Sequence, residues 1–241
     1  MFAGPNGSGK STIKTVLSPE LVGVYVNPDE IQFELERSGG LDLSTFHVRS
    51  TTRELRSFFA KSSLLAPRQI DLLQEQASVR RNRLTLPVQA ADAYVASVLS
   101  DFLRRKLIAA GESFTFETVM SSPDKVSLLD DARANGFRTY LYYIATDDPE
   151  INISRVQNRV NLGGHSVPRE KIVARYERSL GLLLAAIRRT DRAYLFDNSG
   201  NQPVWLAEVI AGTELKLKTD LIPQWLIRSI LDKLAGPSGG H

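Results

Sequence analysis

The apolar positions along the chain change period repeatedly. Short β-branched or aromatic runs at Val22–Val26, Phe114–Thr118, Arg138–Ile144 and Ala193–Asp197 have the alternation or continuous apolar character of strands in a buried parallel sheet. Between them the spacing turns helical. Ala90, Tyr94, Val95, Val98, Leu99, Phe102, Leu103 and Leu107 form one stripe that begins near Gln89 and is stopped by Gly111. Asp124–Asn135 predicts a helix with Gly136 at its C-cap, Asp147-Asp148-Pro149 opens another, and Val167-Pro168 introduces a long one over Arg169–Arg189. Strand and helix in alternation predict an α/β fold in one domain over 1–241, a parallel sheet of about five strands flanked by helices.

Two stretches depart from that rhythm. Gly39-Gly40 breaks the chain, Thr52–Ser62 reads as helix, and Arg68–Arg83 is polar and ends in Arg80-Arg81-Asn82-Arg83, so 38–87 is predicted to be a helical insertion. Its basic cluster is either a solvated surface or a contact for an acidic partner. Further on, Pro203–Lys218 alternates like a hairpin and Pro223–Leu234 is amphipathic, giving a C-terminal hairpin and helix over 203–234 and a loose tail over 235–241. There is no internal repeat.

Chemistry enters at the start of the chain. Gly4-Pro5-Asn6-Gly7-Ser8-Gly9-Lys10-Ser11 is a complete Walker A loop, with Thr12 next. Its glycines let successive N–H groups turn toward phosphate oxygens. Lys10 adds a charge near the β- and γ-phosphates, and the Ser11 hydroxyl suits Mg²⁺. A helix predicted over Ser11–Leu17 would turn its positive end toward the same anion. The ligand implied is a nucleoside triphosphate such as ATP, and the fold is narrowed to a P-loop NTPase. Only Met1-Phe2-Ala3 precede the loop, where a strand of about five residues is usual. The sequence therefore predicts either a very short strand or a chain that begins upstream and is more stable when extended.

Composition removes other chemistries. With 241 residues, 42% of them hydrophobic and 24% charged, the chain can bury a large core. It has no cysteine, which excludes disulfides, thiol nucleophiles and thiolate zinc sites, and its three histidines are too scattered for a histidine metal site. No apolar run of eighteen residues and no signal-peptide pattern occurs, so a soluble cytoplasmic protein without a membrane partner is expected. Arg supplies 21 of the 30 basic residues, but the net charge is only +3 and no basic tract carries interleaved aromatics, so nucleic acid is not a predicted partner.

Several other residues are candidates for handling the transferred phosphate. Asp29, in Asn27-Pro28-Asp29-Glu30 after a strand, is a general base, a Mg²⁺ ligand or a helix cap. Glu117 and Thr118 end a strand expected beside the phosphate loop, where a carboxylate either fixes an acceptor's hydroxyls or forms a salt bridge. Arg155 and Arg159 are four apart on a helix and share a face, placed to neutralise a transferring phosphoryl group from a lid over 155–175. Gly163-Gly164 would be its hinge, His165 a turn residue or hydrogen-bond donor, and Arg169, Arg175 and Arg178 further charges across the turn.

The loop, the Asn27–Glu30 segment, Phe116-Glu117-Thr118, the run from Arg155-Val156 through Arg159-Val160 and Gly163-Gly164-His165 to Val167-Pro168, and Asp197-Asn198-Ser199 together resemble the zeta toxin family. The likeness extends from the loop to about Gly200 apart from the insertion, and lies with the shorter Gly-Pro-Asn-Gly-Ser-Gly-Lys-Ser-Thr branch. It implies a fold like that of nucleoside-monophosphate kinases and transfer of the ATP γ-phosphate to the amino-sugar 3′-hydroxyl of UDP-N-acetylglucosamine. A small helical antitoxin would be the partner. By the same resemblance Gly4 through Thr12 bind ATP, Ser11 holds Mg²⁺, Asp29 is the base, Glu117 and Thr118 contact the sugar, and Arg155, Arg159 and Arg175 serve phosphate and substrate. The residues alone leave two alternatives open: an ATPase or nucleotide switch acting through a protein partner, and a kinase of another metabolite or antibiotic.

Overall fold

A computed structural model describes residues 1–15, 17–164 and 166–235. In chain order its elements are β1 Phe2–Ala3, α1 Lys10–Lys14, α2 Pro19–Val22, β2 Val24–Val26, α3 Pro28–Ser38, β3 Gly40–Asp42, α4 Thr52–Ala60, α5 Pro67–Gln76, β4 Ser78–Arg80 and β5 Arg83–Thr85. There follow α6 Ala93–Ala110, β6 Phe114–Thr118, α7 Asp124–Ala134, β7 Tyr140–Ala145, α8 Pro149–Asn161, α9 Arg169–Ile187, β8 Arg192–Asp197, β9 Val204–Ile210 and β10 Glu214–Leu217. The last helical segment joins Gln224–Leu226, a π-helical turn at Ile227–Leu231, and Asp232–Ala235. The chain divides into two compact units, one of Met1–Ser18 with the chain from Glu117 onward, the other of Pro19–Phe116.

The first unit carries the loop. Although β1 has only two residues, it is paired in parallel on both sides: Phe2 opposes Glu117 of β6 and Tyr142 of β7, and Ala3 opposes Thr118 and Tyr143. β7 pairs in parallel with β8, and β9 and β10 close the sheet as an antiparallel hairpin. Phe2, Ile13 and Ile144 form a buried cluster joined by Leu17, Tyr142 and Phe196. Tyr143 is fully buried, lies 6.0 Å from Trp225 between ring centroids, and shares a 3.0 Å hydroxyl–hydroxyl bond with Ser179 of α9. Burial without a compensating charge pushes its phenol pKa up.

In the second unit β2 pairs in parallel with Phe114–Phe116, the start of β6. Thus β1, β2, β6, β7 and β8 all make parallel pairings, the mostly parallel α/β sheet the sequence predicts. The stretch 38–87 differs from its helical expectation. It holds α4 and α5, but also an antiparallel sheet in the order β3-β5-β4. Arg80 and Arg83 face each other across a two-residue turn in which Arg81 and Asn82 both have positive φ, 49° and 62°. That is the twist-compatible hairpin turn, occupied here without glycine. Asn82 supports it from within, donating to the Val48 carbonyl at 2.8 Å and accepting the Leu43 N–H on its own carbonyl at 3.0 Å. Fully buried Leu84 fills the middle of this sheet, opposite Leu41 and Val79.

Smaller corrections concern element ends. Val22 belongs to α2, and β2 starts only after Gly23, whose φ of 56° reverses the chain. The first helix of the loop stops at Lys14 rather than Leu17. Asn27, not Asp29, caps α3, since its side chain accepts the Asp29 N–H at 2.9 Å. Asp92 caps α6 at Ala93, later than the predicted Gln89. Among the described residues no helix is long and apolar enough to cross a membrane.

Candidate active site

β1 delivers the chain to Gly4 with no space to spare. Gly4 has φ 144°, and a Cβ built on it would lie 1.9 Å from the Ile144 carbonyl oxygen of β7. Only glycine fits a backbone approach of that kind. The loop ends at Gly9, the residue before α1, with φ 93° and room for a Cβ closed off by the Asn198 amide nitrogen at 2.1 Å.

Polar groups of three kinds converge here. Lys10 is 7% exposed, and its ammonium donates to the Gly4 and Pro5 carbonyls at 2.9 and 3.0 Å. It lies 3.9 Å from one carboxylate oxygen of Glu117. The other oxygen of that carboxylate accepts from the Ser11 hydroxyl at 3.5 Å. β6 makes this meeting possible, because its register against β1 brings Glu117 level with Phe2 at the mouth of the loop. A hydroxyl and a carboxylate side by side are hard oxygen donors of the kind magnesium takes, so Ser11 and Glu117 fit such an ion. Thr12 follows exposed on α1, its N–H bonded to the Gly9 carbonyl at 3.1 Å. Within the loop the Asn6 Oδ1 and Ser8 Oγ are buried without a hydrogen-bond partner. Two orphaned polar atoms in one short turn suit a polar ligand.

The remaining predicted residues have diverse surroundings. Thr118 is buried beside Glu117, its hydroxyl accepting the Met120 N–H at 3.0 Å where the backbone turns with φ 52°. Asp29 is exposed in the first turn of α3 and belongs to the Pro19–Phe116 unit. Arg155 and Arg159 share a helix but not a setting. Half-buried Arg155 donates to the carbonyls of Asn198 and Gly200 at 2.7 and 3.1 Å. Arg159 is exposed, and its stem closes over Gly164, where a Cβ would come within 2.7 Å of its Cγ. Gly163 and Gly164 end α8 by donating to the Val160 and Arg159 carbonyls, both at 2.9 Å. On α9, Arg169 forms an ion pair with Glu150, Arg178 donates to the Ser121 carbonyl at 3.2 Å, and Arg175 is half-buried. His165 lies outside the described residues.

Two loop neighbours escaped the sequence reading as functional residues. Asn152 of α8 donates to the Asn6 carbonyl at 2.6 Å, and Asn198, just past β8, donates to the Ser8 carbonyl at 2.8 Å. They stand 146 and 190 residues away from their partners, beyond any local spacing rule.

The model of the zeta toxin family matches residues 89–206. Over that stretch the likeness read from the motifs holds. The zeta toxins are ATP-dependent kinases. The matched zeta toxin segment contains Glu117, Thr118, Arg155 and Asn198, while the loop precedes it. An uncharacterized protein of Haemophilus influenzae is 33% identical over 63 residues, 26% of this chain and 45% of that protein, so the match spans less than half of that relative. Among solved structures, the complex of AvrRxo1-ORF1 and AvrRxo1-ORF2 with ATP aligns at a TM-score of 0.56 and 16% identity, over 90% of this chain and 60% of that one. The same pair with sulphate ions aligns at 0.55, also at 16% identity and over the same shares. At this identity the likeness is one of fold.

Proposed function

We propose that the chain is an ATP-dependent phosphotransferase of zeta toxin type that moves the γ-phosphoryl group of ATP to a hydroxyl of a nucleotide sugar, with UDP-N-acetylglucosamine as the leading acceptor. The observation that carries this reading is the convergence of Lys10, Ser11 and Glu117 on a loop whose glycines are closed to any side chain. The solved neighbour with ATP is a two-protein complex, which supports a protein partner, a small antitoxin, for this chain as well.

In the proposed step the acceptor oxygen bonds to the γ-phosphorus while the bond to the β–γ bridging oxygen breaks and ADP departs with that electron pair. Lys10 and the loop N–H groups hold the phosphates, and bound magnesium would offset their charge. Glu117 and Thr118 orient the sugar. Asp29 accepts the hydroxyl proton, and exposed Arg159 with Arg175 balances charge on the transferring group. Little covalent help is needed, since positioning and electrostatics supply most of the rate in such transfers.

The test is ADP release from ATP and Mg²⁺ with a panel of nucleotide sugars. A turnover that requires an acceptor is expected, absent in Lys10→Ala and reduced more than about a hundredfold in Asp29→Asn with ATP binding retained. Hydrolysis indifferent to every acceptor would instead indicate a nucleotide switch. Induced expression extends the test to toxicity: growth should arrest with the natural chain and continue with Lys10→Ala.

A further inference from the structure

The side chains behind the loop form a connected bracket. Asn152 donates its amide to the Asn6 carbonyl, accepts the Thr146 hydroxyl on its own oxygen, and is fully buried. Thr146 is held in turn, its carbonyl accepting the Tyr176 hydroxyl at 2.7 Å. Asn198 donates to the Ser8 carbonyl, and its own carbonyl accepts from Arg155, which reaches Gly200 with its other nitrogen. In a trans peptide the C=O of one residue and the N–H of the next point in opposite directions. Holding the Asn6 oxygen toward Asn152 therefore turns the Gly7 N–H the other way. Holding the Ser8 oxygen toward Asn198 does the same for the Gly9 N–H. The same two asparagines border these glycines: a Cβ on Gly7 would meet the Asn152 carbonyl at 2.6 Å and one on Gly9 the Asn198 amide nitrogen at 2.1 Å.

We infer that Asn152 and Asn198 are positioning residues that preset the Gly7 and Gly9 amides for phosphate, and that Arg155 acts through Asn198 as their outer support rather than as a ligand of the transferred phosphoryl group. The inference rests on the reading of the loop as a phosphate cradle. It gives the two arginines of α8 separate duties, with Arg155 facing inward to the Asn198–Gly200 turn and Arg159 left exposed. A preset donor array binds an anion without first ordering itself, which is where the affinity comes from.

ADP distinguishes the two duties because it shares the β-phosphate with ATP but lacks the group that is transferred. Binding of ADP and ATP to the full chain is measured by calorimetry, so no acceptor needs to be known. Asn152→Ala and Asn198→Ala should each weaken both nucleotides about tenfold, the change that loss of one well-made hydrogen bond carries. Arg155→Met should weaken both in the same ratio, and Arg155→Lys, which keeps a donor, should recover part of the loss. Tyr143→Phe removes a buried hydroxyl pair elsewhere in the same unit. It serves as the match for destabilisation and should leave both affinities unchanged. If Arg155→Met leaves ADP affinity intact and lowers only turnover, Arg155 is a phosphoryl ligand and the inference fails. Equal loss in Tyr143→Phe would also overturn it, since general loosening would then explain the effect. A natural chain that binds no ADP would defeat the proposed function and this inference together, whereas unchanged affinities in the variants would defeat the inference alone.

Discussion

Gly4 and Gly111 both adopt positive φ, yet they hold their places for unlike reasons. At Gly4 the constraint is space, because the Ile144 carbonyl occupies the position of a Cβ at 1.9 Å. At Gly111, which caps α6 in the other unit, φ is 68° and nothing lies within 4 Å of that position. The phosphate loop is thus specified by close backbone approach. The end of α6 is specified by a cap that leaves slack.

The sharpest test of that contrast is a methyl group. Gly4→Ala should remove measurable ADP binding, a fall of at least about a hundredfold, because neither the Ile144 backbone nor the loop can yield without displacing β1 from β7. Retained binding would mean that the approach is softer than the geometry indicates. Next in size is Leu84→Ala in the small antiparallel sheet, expected to lower stability in urea by about 3 kcal/mol through the cavity it leaves. Gly111→Ala should cost only about 1 kcal/mol, the ordinary expense of a left-handed conformation with open space around it.

Smallest is an acid effect at α4. Glu54 caps the helix start by accepting the Thr51 N–H at 3.0 Å and bonds to Lys106 at 2.8 Å. The Lys106 hydrogen bond first, then Ser50 and the Thr51 backbone, draw its pKa down from 4.5 to about 2. A carboxyl lowered on folding contributes its full stabilisation above about pH 4.5 and loses it as the pH falls toward 2. Glu54→Gln should therefore show a flatter stability profile over that window, measured by thermal melting at constant ionic strength. An identical slope in both proteins would remove Glu54 from the account.

The sequence was most legible where one short stretch contained its own reasons. Phe114–Thr118 alternates and forms β6 over those residues, and Gly111 stops α6 as the stripe predicts. The small sheet was illegible because β3, β4 and β5 have three residues each, too few to show a period. Its one turn was written in Arg and Asn, so backbone information was masked by charge. Asn27 and Asp29 are both good capping residues, and local preference did not separate them. At the loop the glycines, Lys10 and Ser11 could be read directly, the short strand before them was one of two alternatives, and Glu117 followed from the strand expected beside the loop. Asn152 and Asn198 could not be found this way, because their partners are set by the fold and not by spacing.

Trp225 ties the same bracket to an optical signal. The chain has two tryptophans. Trp205 is 41% exposed with the Lys218 ammonium 4.8 Å above its ring, whereas Trp225 is fully buried and donates its indole N–H to Asp197 at 2.9 Å. Asp197 immediately precedes Asn198, so the buried fluorophore is linked to Ser8 through two hydrogen bonds and one step along the chain. Iodide in solution quenches the exposed indole and spares the buried one. What remains is the emission of Trp225, an unlabelled reporter through which phosphate arriving at the loop can be timed in a stopped-flow cell.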